Sequence, residues 1–409
     1  MHILFLTDNF PPEGNAPASR TFEHAREWYK KGHKITVITS APNFPEGKVF
    51  DGYKNKFLSI EEIEGINVWR VKTYIASNKG FYKRILDFIS FMISSFLFGI
   101  FVKKPDVVIG TSPQFFTVIS AWAIAKFKRK PFIFELRDIW PASITAVGAM
   151  QDSFIIKLLE KAELFLYEQA DLIISVTKSF KLELEKRGVL PTKIMYVPNG
   201  VDLEKIKPLP KDESLSNKYN LDNKFVAAYI GTHGLAHSLE HIVEAAEILK
   251  DHKDLKIVFA GGGAVKENIK SLVNQKCLKN VVMIPAQPKD QMRKLWSLCD
   301  VSLVTLKDKE LFKTVIPSKI FESMAMQKPV IISIPNGEST KIVESNNCGV
   351  VIPPENEVAL SEAILTLKKN KALLGELGNN SLKASQEYNR KVLACKMLSY
   401  IEQMVTKRK

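Results

Sequence analysis

Short, nearly continuous runs of apolar residues alternate along this chain with segments of helical periodicity. Such runs are typical of parallel strands that are buried on both faces. In the first half the predicted strands are 3–7, 34–39, 68–71, 106–110, 131–135, 172–176 and 193–197. In the second half they are 225–230, 256–260, 281–284, 301–305, 330–333 and 349–352. The pattern therefore predicts two successive α/β units with parallel sheets.

The stretch 202–224 is polar and contains prolines, and it interrupts the alternation of strands and helices. We interpret it as the connection between two domains, 1–203 and 204–384, which are followed by a C-terminal helix within 385–409. Open α/β sheets bind ligands at the carboxyl ends of their strands. We therefore expect the ligand site in a cleft between the two domains.

An apolar stretch at 85–102 allows three interpretations: a buried helix, a helix that partly enters a membrane surface, and a true membrane span. Its charge-free part, 88–102, is shorter than the roughly 20 residues that a span needs. Asp87, Ser90 and Ser94 add a narrow polar stripe at helical spacing. Basic residues around the stretch favour contact with an anionic membrane surface. They are Lys79, Lys83, Arg84, Lys103, Lys104, Lys126, Lys128, Arg129 and Lys130.

Composition narrows the class of protein. The chain has 409 residues, of which 45 % are hydrophobic and 25 % charged, which excludes a disordered chain, a collagen and a polytopic membrane protein. Its four cysteines match no zinc spacing and favour a reduced, cytosolic setting. The first eight residues are typical of a strand rather than a signal peptide. The net charge of +14 indicates an anionic partner, but no recognisable nucleic-acid-binding module accompanies it, so we expect no nucleic acid.

Two glycine-containing loops follow predicted strands in the second half. Gly231 and His233 come after one strand, and the glycines at 261–263 end another. Glycine lets a backbone approach a ligand closely, and amides at a helix N-terminus suit phosphate groups. Lys266 stands where a dinucleotide fingerprint has its third glycine, which disfavours a nicotinamide or flavin enzyme.

Two further segments contain candidate site residues. Ser318 and Lys319 open a predicted helix in which Glu322 has apolar neighbours. A carboxylate there can bind the vicinal hydroxyls of a ribose, or it can simply favour the positive end of the helix dipole. In the first half, Arg137 and Asp138 follow a strand end, either as site residues or as a surface salt bridge.

Together these segments resemble glycosyltransferase family 4, the retaining transferases of the GT-B fold. The resemblance covers nearly the whole chain and is most specific at Pro-Asn-Gly-Val-Asp (198–202) and Pro-Ser-Lys-Ile-Phe-Glu (317–322). Weaker matches lie at 11–14, 137–141, 231–235 and 261–263. The resemblance implies two Rossmann-like parallel-sheet domains facing across a cleft, with the C-terminal helix crossing back to the first domain. It implies no metal, and the sequence has no Asp-x-Asp motif.

The resemblance also assigns roles to individual residues. Glu322 matches the acid that contacts the donor ribose, whereas Thr314 stands where the family has a first acid. Thr232 and His237 lie near the places of an arginine and a lysine that hold the donor phosphates. The donor-binding residues that we expect are Gly14, Gly231, His233, Gly261, Gly262, Ser318, Lys319 and Glu322. For catalysis we expect Asp138, as the acid near the reacting sugar, and Arg137, which stands where many members have histidine.

The likeness to transferases of bacterial surface polysaccharides, including N-acetylfucosamine-type transferases, implies the activity. A sugar would move from a nucleotide-sugar, with UDP ahead of GDP, to a lipid-linked or saccharide acceptor. We expect a cytoplasmic protein, peripheral on the inner face of the membrane, without a cofactor because the nucleotide-sugar is a substrate. Two other classes stay open: a nucleotide-sugar 2-epimerase of the same fold, and a non-catalytic nucleotide-sugar-binding member, which Thr314 suggests.

Overall fold

A computed structural model of the chain describes residues 1–44, 46–75, 81–139 and 154–408. Internal contacts group the chain into two units, one formed by Met1–Pro198 with Arg390–Lys409 and the other by Asn199–Asn389. The sequence predicted domain limits after residues 203 and 384. These limits describe parts that fold independently, and a grouping by contacts does not test independent folding. They stay predictions.

The first unit is built on an eight-stranded sheet. Its strands are β1 (His2–Leu6), β2 (Lys34–Ser40), β3 (Leu58–Ile63), β4 (Ile66–Val71), β5 (Val107–Thr111), β6 (Phe132–Leu136), β7 (Leu172–Ser175) and β8 (Ile194–Tyr196). Their order across the sheet is β3-β4-β2-β1-β5-β6-β7-β8. All neighbours are parallel except β3 and β4.

The second unit has a six-stranded sheet in which every pairing is parallel. Its strands are β9 (Phe225–Ile230), β10 (Leu255–Gly261), β11 (Val281–Pro285), β12 (Val301–Thr305), β13 (Val330–Ser333) and β14 (Gly349–Ile352). Their order is β11-β10-β9-β12-β13-β14. The two parallel-sheet α/β units confirm the predicted fold class.

Each predicted strand is present, but the apolar pattern did not predict β3. This strand lies at the sheet edge and is only partly buried, so its sequence has no continuous apolar run. It forms a hairpin with β4 through Glu64 and Gly65, whose φ angles are 47° and 81°. Two successive residues with positive φ are typical of a type I′ turn, the tight hairpin connection that favours glycine. The Glu-Gly pair was therefore the available signal.

Helices connect the strands. In the first unit they are α1 (Ala16–Lys30), α2 (Phe81–Gly99), α3 (Phe115–Lys128), α4 (Phe154–Gln169) and α5 (Lys178–Lys186). In the second unit they are α6 (Glu213–Lys218), α7 (Leu239–Ile248), α8 (Lys266–Gln275), α9 (Met292–Ser297), α10 (Lys319–Ala325), α11 (Glu338–Ser345), α12 (Glu357–Lys369) and α13 (Lys371–Ser385). The last described helix, α14 (Arg390–Arg408), belongs to the first unit.

The first sheet is buried on both faces. Alternate residues of a strand point to opposite faces, so each strand contributes to two cores. Leu4 and Leu6 of β1 pack into a core with residues of α2, α3, α4 and α5. Ile3 and Phe5 pack into a second core with residues of α1 and α14. There the Trp28 indole nitrogen donates a hydrogen bond to the Ala394 carbonyl over 2.8 Å. The predicted return of the C-terminal helix to the first unit is thereby confirmed.

Candidate functional site

The two glycine loops of the second unit lie against each other where β9 and β10 end. The Gly231 amide donates to the Ala260 carbonyl over 2.9 Å, and the His233 amide donates to the Gly262 carbonyl over 2.8 Å. Gly261 has a φ of 143°, and a Cβ added there would lie 1.9 Å from the Gly231 carbonyl oxygen. Only glycine permits this close approach of the two backbones.

Lys319, the first residue of α10, brings a buried cation to these loops. Its Nζ lies 3.4 Å from the centre of the Tyr229 ring and has no hydrogen-bond partner among the described residues. A Cβ added at Gly231 would lie 3.2 Å from that Nζ. Burial lowers the pKa of Lys319 well below its usual range, and the charge of Glu322 opposes this only in part. The site therefore holds a buried amine whose charged form Glu322 stabilises only in part.

Two histidines line the same place. His233 is fully buried, and neither of its ring nitrogens has a hydrogen-bond partner among the described residues. Burial, with the charges of Lys319 and Lys266, lowers the pKa of His233 to about 4. Burial and Lys319 lower the pKa of His237 to about 3. Both rings are thus neutral at pH 7, so they offer hydrogen bonds rather than charge.

Glu322 lies one helical turn after Lys319 on α10. Its Oε2 accepts a hydrogen bond of 3.2 Å from the indole nitrogen of Trp296, which is fully buried. Ser318 is the N-cap residue of α10, and its side chain makes no capping hydrogen bond. Thr314 donates its hydroxyl hydrogen to the Leu311 carbonyl over 2.7 Å, which closes a local turn. Where the family has an acid, this chain therefore has a hydroxyl that bonds to its own turn.

The sequence-predicted donor residues of the second unit are thus close together. Contacts join Gly231, His233, Gly261, Gly262 and Lys319, while Ser318 and Glu322 lie beside Lys319 at the start of α10. Their roles stay predictions.

Gly14 lies in the first unit, in the loop between β1 and α1. It is exposed, and a Cβ there would meet no atom within 4 Å. The residue before it, Glu13, is buried and accepts hydrogen bonds from the amides of Asn43 and Phe44, each of 2.8 Å, and from that of Phe10, of 3.2 Å. Sequence reasoning missed this anchor of the loop. Its only signal was an acid next to the proline pair at 11–12.

Arg137 and Asp138 follow β6 in the first unit. Their backbone amides both donate to the Ser112 hydroxyl oxygen, over 2.8 Å and 3.3 Å. The Nε and Nη1 atoms of Arg137 are buried and have no hydrogen-bond partner among the described residues. Burial lowers the pKa of Arg137 to about 10, so the guanidinium stays charged at neutral pH. The rest of this motif, Trp140 and Pro141, lies outside the described residues.

A buried ion pair supports this end of the first sheet, and the sequence did not predict it. The Nε of Arg20, on α1, donates to Oε1 of Glu135 over 2.8 Å. The two Nη atoms of Arg20 donate to the carbonyls of Pro198 and Val197, over 2.7 Å and 3.0 Å. The first residue of the motif at 198–202 and the residue before it are therefore bound to α1.

Comparison with known proteins agrees with this geometry. Residues 18–205 match the family model described as Glycosyltransferase Family 4, and residues 211–384 match the model described as Glycosyl transferases group 1. The chain belongs to glycosyltransferase family 4. The resemblance stated from the motifs is confirmed, and the protein is a transferase enzyme.

This glycosyltransferase is similar to bacterial proteins that are named for colanic acid biosynthesis and for the synthesis of a glycosylated diacylglycerol. It is 26 % identical over 396 residues to WcaI of Escherichia coli, which is named as a colanic acid biosynthesis glycosyl transferase; the match covers 93 % of this chain and 96 % of WcaI. It is 24 % identical to the alpha-galactosylglucosyldiacylglycerol synthase of Streptococcus pneumoniae, over 71 % of this chain and 76 % of that protein. HepE of Anabaena, solved in complex with UDP-glucose, shares its fold with a TM-score of 0.73 at 15 % identity, over 98 % of this chain and 100 % of HepE.

Metal ligands do not cluster in the described part of the glycosyltransferase. There, no group of three or more histidine, cysteine, aspartate or glutamate residues is placed to hold a metal ion. The expectation of a metal-independent reaction stays a prediction.

Proposed function

We propose that this glycosyltransferase moves a sugar from a UDP-sugar to a lipid-linked or saccharide acceptor during bacterial surface polysaccharide synthesis, with retention of the anomeric configuration. The observation that carries the proposal is the buried amine of Lys319, which lies beside two glycine loops and has no hydrogen-bond partner in the described part of the chain. A diphosphate is the kind of group that such a cation and closely approaching backbone recognise. The complex of the related fold HepE with UDP-glucose and the name of WcaI support the choice of donor and pathway class.

In the proposed reaction, the bond from the anomeric carbon to the diphosphate oxygen breaks, and a bond to the acceptor oxygen forms on the same face. The acceptor hydroxyl gives its proton to the leaving diphosphate. The diphosphate leaves with the electron pair, so its growing negative charge must be stabilised. Lys319 supplies that charge, while the neutral His233 ring and the amides of the Gly231 loop supply hydrogen bonds. Glu322 accepts hydrogen bonds from the ribose hydroxyls. We assign Asp138, on the first unit, to the reacting sugar.

The proposal of a membrane-bound acceptor is supported by an exposed surface of the first unit around α2. Ser94 donates to the Lys72 carbonyl, and the Ser90 hydroxyl accepts from the Tyr74 amide, each over 2.7 Å, so the polar stripe of α2 bonds within the unit. Another side of α2 is exposed and apolar. The outer patch, as we call it, consists of Leu86, Ile93 and Leu97 of α2, Phe101 just after α2, and Phe127 near the end of α3, each at least half exposed.

Basic side chains surround the outer patch. Lys83, Arg84, Lys103, Lys104, Lys126 and Arg129 are exposed, whereas the Nζ of Lys128 donates to the Ile100 carbonyl over 2.7 Å. Lys79 lies outside the described residues. Apolar side chains within a basic rim favour an anionic lipid surface. None of the described helices is both long and apolar enough to cross a membrane. Contact with the inner membrane face is therefore proposed as peripheral.

The donor assignment is tested by thermal unfolding of the purified full chain with UDP, GDP, ADP, CMP and several UDP-sugars. A ligand that binds the folded state raises Tm by mass action. We expect UDP and one UDP-sugar to raise Tm. A shift with GDP alone, or with no nucleotide, contradicts the proposal.

The role of Glu322 is tested by comparing UDP with 2′-deoxy-UDP. Because a hydrogen bond to a charged group contributes roughly 1.5–3 kcal/mol, the wild-type chain should bind UDP at least about tenfold more tightly than 2′-deoxy-UDP. Glu322→Ala should bind both ligands equally. The matched control is Glu310→Ala, since Glu310 is exposed in the same unit. If Glu322→Ala keeps the preference for UDP, the ribose assignment is wrong.

A further inference from the structure

The first unit contains a buried group of charged side chains at the carboxyl end of β6. We call it the arginine cluster: Arg20, Glu23, Glu135, Arg137 and Arg390. Arg20 pairs with Glu135 over 2.8 Å, and Arg390 pairs with Glu23 over 2.7 Å. Arg20, Glu135 and Arg390 are each within electrostatic reach of Arg137. The cluster therefore holds three guanidinium groups and two carboxylates.

Arg137 is the guanidinium of the cluster that remains when Arg20 and Arg390 are paired with the two carboxylates. Its Nε and Nη1 atoms are buried and donate no hydrogen bond within the described part of the chain. Glu135 attracts it, but Arg20 and Arg390 oppose its charge. His24 lies in the same surroundings and is fully buried, and both of its ring nitrogens lack a partner in the described structure. A neutral histidine cannot compensate a cation, so among the described residues the charge of Arg137 has only Glu135, which Arg20 shares, as a counterpart.

An uncompensated buried charge costs several kcal/mol, so proteins seldom keep one unless something pairs with it. The strand ends in this position are where open α/β sheets bind ligands. The backbone of Arg137 is fixed by the hydrogen bond from its amide to the Ser112 hydroxyl. A guanidinium held in this way presents a planar fork that matches the two oxygens of a carboxylate or a phosphate.

We propose that Arg137 binds an oxyanion group, a carboxylate or a phosphate, on the sugar ligand that occupies the first unit. The transferase would then handle an acidic or phosphorylated sugar in addition to the donor diphosphate. This inference rests on the proposed function for its substrate class. The binding site itself belongs to the first unit alone.

The test is a set of ligand titrations of the purified full chain at constant ionic strength. Binding is measured by calorimetry and by the shift in thermal unfolding. The probes are glucuronate, glucose 1-phosphate, the neutral sugar methyl glucoside, and UDP. Wild type is compared with Arg137→Gln, with Arg137→Lys and with the control Lys56→Gln, which changes an exposed cation of the same unit. Lys319→Met separates any binding of the same anions at the second unit.

We expect glucuronate or glucose 1-phosphate to bind the wild-type chain, and binding to be roughly 10- to 100-fold weaker in Arg137→Gln, as for loss of a charged hydrogen bond. Arg137→Lys should be intermediate, because it keeps the charge but loses the fork. Lys56→Gln and Lys319→Met should keep the Arg137-dependent binding. A preference for glucuronate identifies a carboxylate, and a preference for glucose 1-phosphate identifies a phosphate.

Two results overturn the inference. One is equal anion binding by wild type and Arg137→Gln, including no binding by either. The other is a loss of UDP affinity in Arg137→Gln without any change for the two acidic sugars, because the guanidinium then meets the donor diphosphate. Since the Nε and Nη1 atoms of Arg137 donate no hydrogen bond to the described residues, Arg137→Gln should unfold no earlier than wild type without ligand. Failure of UDP to bind wild type would instead count against the proposed function.

Discussion

The ammonium of Lys319 lies over the face of the Tyr229 ring, 3.4 Å from its centre. The ring offers partial compensation, because the negative face of an aromatic system attracts a cation. It does not replace a hydrogen bond, and Lys319 makes none within the described structure. We therefore expect a bound anion to stabilise the protonated form of Lys319, so that proton uptake by this lysine reports anion binding.

Removal of this lysine should separate donor binding from stability. Lys319→Met removes a buried amine that has no hydrogen-bond partner among the described residues, so we expect the free energy of unfolding to stay the same or rise. UDP binding should fall at least tenfold, because the proposed partner of the diphosphate is lost. Calorimetric titration and urea unfolding measure the two effects. Lys328→Met, a half-buried lysine beyond the other end of the same helix, serves as the control.

Donor binding should also take up protons. Because the folded-state pKa of Lys319 lies below that of the unfolded chain, the unfolded state binds more protons between these two values, and stability should rise with pH across that window. A bound diphosphate raises the pKa again, so UDP affinity should fall as pH rises through the lowered value. Titrations in buffers of different ionisation enthalpy measure the uptake. If Lys319→Met takes up as many protons as wild type, another group is responsible.

The glycines at the end of β10 should differ in what they tolerate. Gly261→Ala places a methyl group 1.9 Å from a carbonyl oxygen at a φ of 143°, so we expect a large loss of stability. In Gly262→Ala the nearest atom is the Ala286 Cβ at 3.8 Å, which is an ordinary contact. Gly262→Ala should therefore fold normally and weaken UDP binding only if backbone approach to the donor matters there. Thermal unfolding with and without UDP distinguishes the two variants.

How far the sequence predicted this molecule depended on the distance between partners. Motifs within a few residues, such as Lys319 with Glu322, were found because neighbouring residues show the chemistry. Arg20 and Glu135 are 115 positions apart, and no local pattern joins them. Glu135 was nevertheless detectable as an acid inside an apolar strand, since such an acid needs a partner. The edge strand β3 was missed because its half-exposed sequence lacks the apolar run that marks buried strands.

Breaking the Arg20–Glu135 pair should destabilise the first unit strongly. Arg20→Met leaves a buried carboxylate and two carbonyls without their donor, for which we expect a loss of about 3–5 kcal/mol in the free energy of unfolding. Lys30→Gln is the control on the same helix. Its half-exposed pair with Glu27 should contribute about 1 kcal/mol or less. A double variant, Arg20→Met with Glu135→Leu, should recover part of the loss if the unpaired charge is the cause.

The outer patch should determine binding to lipid vesicles. Leu97→Asn combined with Phe101→Asn removes two exposed apolar groups, so binding to vesicles containing phosphatidylglycerol should drop about tenfold or more. Binding should also weaken with salt, because the basic rim acts through screened charges. Vesicle flotation measures both. Ile248→Asn with Val358→Asn, which changes two exposed apolar residues of the second unit, should float like wild type. Equal flotation of the two double variants would contradict the assignment.

The position of α14 has a consequence for synthesis of the chain. Leu393, Met397 and Ile401 complete the core beneath α1, yet all of the second unit lies between them and the rest of the first unit in the sequence. A ribosome therefore makes the second unit while the first still lacks one of its layers. The nascent first unit has to keep the apolar side of α1, including Trp28, shielded from other chains until residues 390–408 emerge. The second unit can close earlier, because its core draws on contiguous residues.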